Sequence, residues 1–210
     1  VTFDIRAGVY NVQESINNIQ GTSATNTVTF KSESNDSTAV VWTYTPTSTD
    51  NYTVNLNGCE YVRLEKMTLK AVGLTYATVI QINTGTENNI ISNCIIRGSS
   101  ESSTSTDMAL VYANGSSVNN NTFLNNHFIN GSYGIYYYAS GSNAGVEMNS
   151  NQFEDQNYMA IYARYTDDIK INENIITNAG TMYSGYYGIY LYYSDGAIKV
   201  NKNQLDISEG

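Results

Sequence analysis

Apolar residues along this chain recur in short clusters at a regular interval. The pattern apolar-x-x-Asn-x-apolar occurs at Phe123/Asn126/Phe128, Met148/Asn151/Phe153, Ile171/Asn174/Ile176 and Val200/Asn203/Leu205. An earlier copy falls at Ile90/Asn93/Ile95, and one at Leu64/Met67/Leu69 has methionine in the asparagine's place. From residue 67 the steps are 26, 33, 25, 23 and 29 residues. A second pattern, apolar-x-apolar followed by a turn, accompanies each copy. It starts at Val54, Ile80, Leu110, Ile135, Ile161 and Ile189, with steps of 26, 30, 25, 26 and 28. Two patterns advancing together through six periods mark an internal repeat.

The repeating segments are too short for helices and are rich in Tyr, Ile, Val and Asn, the composition of strands and turns. A leucine-rich repeat needs more leucine, and a propeller blade needs a longer period. The period predicts an all-β, single-stranded right-handed parallel β-helix (a solenoid) of about six regular coils, stacked at about 4.8 Å. Residues 1–210 read as one domain, with an N-terminal cap and first coils over 1–50 and regular coils over 51–210. The row Asn93, Asn126, Asn151, Asn174 and Asn203 is expected to form a structural ladder, each amide bonded to the one in the next coil. No capping pattern follows Asn203. The chain is therefore expected to be a fragment of a longer protein, with an open last coil suited to end-to-end self-association.

Composition narrows the function. Tyrosine occurs 19 times, proline and tryptophan once each, and only 14% of the residues are charged. The net charge is −9 and the ten basic residues are scattered, which argues against nucleic acid as a partner and against an anionic membrane surface. No apolar run of about 18 residues is present, so no membrane insertion is expected. Cys59 and Cys94 have no metal-ligand spacing and read as two buried free thiols. No metal or other cofactor is expected.

The opening residues 1–10, VTFDIRAGVY, are similar to the strand-then-Gly-x-Tyr start of the pectin-lyase-like superfamily of parallel β-helices. Residues 51–69 (NYTVNLNGCEYVRLEKMTL), 88–96 (NNIISNCII) and 186–194 (YYGIYLYYS) resemble bacterial secreted or surface-attached β-helix repeat proteins. The resemblance implies a right-handed solenoid and a secreted or cell-surface location in a bacterium. It leaves function open, because the superfamily includes lyases, hydrolases, esterases, adhesins and tail spikes.

The enzyme patterns implied by that resemblance are sparse here. No esterase-like Gln and Asp motif is found. The adjacent Asp167 and Asp168 sit in a turn, where they are expected to cap the backbone. His127 lies beside the ladder and is expected to face outward. A lyase needs a basic residue and a calcium cluster. Arg164 is a candidate for the first, but Glu147, Glu154, Asp155, Asp167 and Asp168 do not fall in one row.

The tyrosines are more informative. If Ile135, Ile161 and Ile189 point inward, alternation turns Tyr136, Tyr162 and Tyr190 outward in one row. Tyr138, Arg164 and Tyr192 form the row beside it. Earlier coils place Asn55, Gln81 and Val111 in the first row and Asn57, Asn83 and Ala113 in the second. These six aromatic and basic residues are the candidate ligand-binding set, with a polysaccharide as the expected partner. The main reading is a non-catalytic extracellular module that binds polysaccharide or serves as an adhesive or structural element. The alternative is part of a carbohydrate-active enzyme, a polysaccharide lyase or glycoside hydrolase.

Overall fold

A computed structural model describes residues 1–180 and 182–207, with the side chains of 140–144 left aside. Three parallel sheets of eight, eight and seven strands run the length of the molecule. One coil contributes one strand to each sheet. The first coil is Thr2–Ile5, Gly8–Asn11 and Glu14–Asn17. A central coil is Thr122–Leu124, His127–Ile129 and Tyr133–Ala144. Each strand pairs in parallel with its equivalent one coil away, for example Phe123 with Met148 and Phe128 with Phe153. The all-β parallel solenoid read from the repeat is thus the observed fold, with about seven turns.

Pairing begins at once: Thr2–Ile5 lies in register with Val28–Ser32. Residues 1–50 therefore supply the first strands of all three sheets.

The core is a set of stacked columns. In the first sheet Leu64, Ile91, Phe123, Met148 and Ile171 lie over one another, all essentially buried. In the second, Phe128 and Phe153 stack with centroids 4.7 Å apart. Like-on-like stacking follows from the geometry. Equivalent positions are separated by one strand spacing, so identical side chains in identical rotamers fill the interior without gaps. Columns lose cover at both ends: Phe3 is 50% exposed and Leu205 also 50%.

The corner between the first and second sheets explains the asparagine row. Lys66, Asn93, Asn125, Ser150, Glu173 and Lys202 all have φ between 53° and 58°. Each turns the chain through the left-handed region, which asparagine visits more easily than most residues. The residue after each is the inward ladder position: Met67, Cys94, Asn126, Asn151, Asn174 and Asn203. Asn126, Asn151, Asn174 and Asn203 form the expected ladder. Their side chains link in series at 3.2, 3.1 and 2.9 Å from each Nδ2 to the next Oδ1.

Asn93 does not belong to the ladder. It occupies the exposed left-handed corner, and Cys94 takes the ladder slot. The pattern misread this coil by one residue because Ile90, Ile91, Ile95 and Ile96 are all apolar, so two registers fit equally well. A one-residue slip in a strand exchanges its faces. In the true register the Cys94 backbone N–H donates to Asn126 Oδ1, while its thiol lies 3.5 Å from Leu64 O. A second, shorter ladder at the corner before the first sheet escaped the pattern: Asn89 Nδ2 donates to Asn121 Oδ1 at 3.1 Å.

Candidate ligand-binding face

The third sheet presents two outward rows. The first runs Ser15, Asn55, Gln81, Tyr112, Tyr136, Tyr162 and Tyr190. The second includes Asn17, Asn57, Asn114, Tyr138, Arg164 and Tyr192. Ile135 and Ile161 are fully buried and Ile189 partly so, which gives the alternation its phase. The structure brings all six candidate residues onto this one face.

One coil differs from the sequence reading. Val111 and Ala113, expected in the outward rows, are fully buried. Tyr112 and Asn114 take those places, because Val111 and not Leu110 pairs with Ile80. The aromatic row therefore starts one coil earlier.

The face has two halves. In the N-terminal half, amides bond to one another. Asn57 Nδ2 donates to Asn17 Oδ1 at 2.8 Å, Asn83 Nδ2 to Asn55 Oδ1 at 3.0 Å, and Gln81 Nε2 to Asn83 Oδ1 at 3.0 Å. In the C-terminal half, tyrosines stack along the solenoid axis. The centroid separations are 5.4 Å for Tyr112–Tyr136, 4.7 Å for Tyr136–Tyr162 and 5.7 Å for Tyr162–Tyr190. The last two pairs are within 7° of parallel. Tyr133 lies edge-on to Tyr136, Tyr158 and Tyr162, and packs with Ala109 and Met159 as a small buried cluster beneath them. Burial pushes the Tyr136 phenol up to about 12 and keeps it neutral.

This stacking decides what the row can offer. Each interior ring uses both faces on its neighbours. Ring edges and hydroxyls are left for solvent, so the inner rungs offer hydrogen-bonding groups and ring edges, not ring faces.

Arg164 sits within an aromatic cage. Its guanidinium carbon is 5.1, 4.7, 5.0 and 5.7 Å from the ring centroids of Tyr138, Tyr165, Tyr192 and Tyr193. Nη2 donates to the Tyr165 hydroxyl at 3.0 Å, and that bond holds the guanidinium pKa above its usual value. Nε has no partner. Among the described residues no carboxylate lies within ion-pair distance of Arg164.

Strand alternation would turn Tyr165 and Tyr193 away from this face. Both adopt left-handed φ values, 56° and 50°, and so join Arg164 on the outside. A bulky residue in this region is uncommon and costs of order 1–3 kcal/mol. No sequence rule used above would have found these two members of the cage.

The other candidates lie elsewhere. Asp167 Oδ1 accepts from Asp195 N at 3.2 Å and Asp168 Oδ1 from Ala197 N at 2.6 Å, so both hold the next coil's turn. His127 Nε2 meets Glu154 Oε2 at 2.7 Å on the outer face of the second sheet. Glu147 pairs with Lys170 on the first sheet. Cys59 and Cys94 are buried free thiols, raised to about 12 by burial.

The family model described as a right-handed beta helix region matches residues 5–205. This chain belongs to the right-handed β-helix family. Among solved structures, a deglycosylated pectin methylesterase from Aspergillus niger matches with a TM-score of 0.42 and 12% identity, over 93% of this chain and 76% of that one. A search of curated proteins finds no match.

Proposed function

We propose that this β-helix is a non-catalytic extracellular module that holds a polysaccharide on the tyrosine half of its third sheet. One observation carries the reading. The chain has 19 acidic residues and a net charge of −9, yet the two outward rows of the third sheet carry amides, a serine, tyrosines and one arginine, and no carboxylate. The outward rows of the first sheet, by contrast, mix Asp4, Lys31, Arg63, Glu65, Glu147 and Lys170. A face of phenols and amides suits a ligand built of hydroxyls, since both provide donors and acceptors beside apolar ring edges. Arg164 adds a fixed guanidinium able to donate in pairs to an oxygen-bearing group. Rigid strands keep these groups at one spacing, so little ordering opposes binding.

The test is retention on immobilised pectin, alginate, xylan and cellulose. Wild type is expected to be retained on at least one. The Tyr136→Ala/Tyr162→Ala variant is expected to bind that polymer at least about tenfold more weakly. Equal retention refutes the tyrosine face. Release of reducing ends or of unsaturated products by the wild type refutes the non-catalytic reading. Fractionation of cells carrying the native gene tests the extracellular assignment.

A further inference from the structure

From Cys94 to Asn126 the inner corner row steps 32 residues, its longest step between Met67 and Asn203, and the extra length lies at the corner between the second and third sheets. There the segment after Ile95–Arg97 folds forward over the next two coils. Ser102 Oγ donates to Asn157 Oδ1 at 3.0 Å, and Asn157 Nδ2 donates to Ser103 O at 2.8 Å. Ser132 Oγ donates to Ser105 O at 2.6 Å. Asn157 is 6% exposed, so a buried amide two coils away pins the insertion down. Between the insertion and the coils lies a groove of about 390 Å³.

We propose that this groove is a second binding site, for a neutral sugar. It rests on the polysaccharide reading only in the class of ligand. Its volume lies in the range of small-molecule sites, about 300–1,000 Å³. The lining includes Ser100, Glu101, Ser102, Asn130, Asp155 and Asn157. Asp155 Oδ1 accepts from Ala179 N and Gly180 N, which fixes that carboxylate in place. Carboxylates, amides and serine hydroxyls together accept from and donate to sugar hydroxyls. Glu101 and Asp155 also disfavour an anionic ligand by like-charge repulsion. The chemistry is thus opposite in sign to the Arg164 cage. The volume is far larger than a bare cation requires. An exposed tyrosine is tied by its backbone to Asn157 of the lining. Tyr183 N donates to Asn157 O at 2.8 Å, and the Tyr183 ring lies edge-on to Tyr158 at 5.3 Å and is 49% exposed. Unlike the stacked row, Tyr183 keeps ring surface free for a sugar face.

The experiment is an amide-resolved NMR titration of the whole chain with D-glucose, D-galactose and D-xylose, with D-galacturonate and calcium chloride as controls. At least one neutral sugar is expected to shift the amides of residues 99–102, Gly131, Asn157 and Gly180, and galacturonate to leave them unmoved. A Cβ at Gly180 would meet the Asp155 carboxylate at ordinary contact distance, 3.4 Å. Gly180→Val is therefore expected to fold and to weaken sugar binding at least about tenfold. Asn130→Gly suits the left-handed backbone, removes the amide with its methylene and should weaken binding in the same direction. No shift with any neutral sugar overturns the proposal. So do shifts with calcium alone, shifts with galacturonate, or unchanged binding in both variants. Groove shifts that persist in Tyr136→Ala/Tyr162→Ala show that the two sites stand or fall separately.

Discussion

Two ladders of like residues run along this solenoid, one inside and one outside. The inner ladder, Asn126 to Asn203, is buried except at its last rung. Each interior amide serves the backbone of the preceding coil twice, as donor and as acceptor, and meets the following coil through that coil's ladder side chain. Asn151 Nδ2 donates to Phe123 O at 2.9 Å, and its Oδ1 accepts from Asn126 N at 2.9 Å. The outer ladder, Tyr112 to Tyr190, is half exposed and its ring stacking serves only itself. Both exploit the same coil spacing. The inner one satisfies polar groups that would otherwise be buried without partners, so the fold depends on it. The outer one could be lost without orphaning any backbone group, which leaves its side chains free to serve a ligand.

Breaking the inner ladder should have the largest effect. Asn151→Ala leaves Phe123 O and Asn126 N without the partners described above. At about 1–3 kcal/mol per orphaned group, a loss of about 2–6 kcal/mol is expected from urea unfolding at neutral pH. A loss no greater than that of an exposed Asn→Ala, for example at Asn114, contradicts the assigned role.

Alkaline pH should act next, through the buried and half-buried acids. Cys59 and Cys94 are raised from 9.0 to about 12, and Tyr136 and Tyr186 from 10.0 to about 12, all chiefly by burial. Such groups keep their protons longer when folded than when unfolded. Their contribution is complete below the unfolded values and is lost as pH rises through the folded ones. The thermal midpoint followed by circular dichroism is expected to be insensitive to these groups at neutral pH and to fall between about pH 9 and pH 12. A midpoint that rises across that window contradicts the burial of these side chains.

In the outer ladder the hydroxyl and the ring separate. Tyr162→Ala removes two stacked contacts, each worth about 0.5–1.5 kcal/mol, and should cost about 1–3 kcal/mol. Tyr162→Phe keeps the stack and should change stability by less than about 0.5 kcal/mol while lowering polysaccharide retention. Retention unaffected by the loss of the hydroxyl counts against recognition by ring edges and hydroxyls.

The smallest effect is a repair. At Cys94 a thiol stands where the ladder places an amide donor toward Leu64 O. Cys94→Asn is expected to raise the urea midpoint, by up to about 1 kcal/mol of stability. A clear loss would show that this coil is too tightly packed for an amide.

The fold was legible because a solenoid repeats its own evidence. Each coil restates the same inward positions, and six statements outweigh local ambiguity. Where a single coil had to be placed by itself, the reading slipped: Asn93 for Cys94, and Val111 for Tyr112. In both places two adjacent apolar residues fit the pattern equally well, and only the pairing with a neighbouring coil chooses between them.

The sequence by itself determined the period, the sheet-forming segments, the inward columns and the outward direction of Tyr136, Tyr162 and Tyr190, because alternation and spacing are local properties of a chain. Only the tertiary structure decided that the tyrosine rings face one another, that left-handed backbone brings Tyr165 and Tyr193 around Arg164, and that the insertion after Arg97 folds forward to leave a groove. Those outcomes depend on contacts between residues one or two coils apart, and a contact at that distance exists only once the coils have been laid on one another.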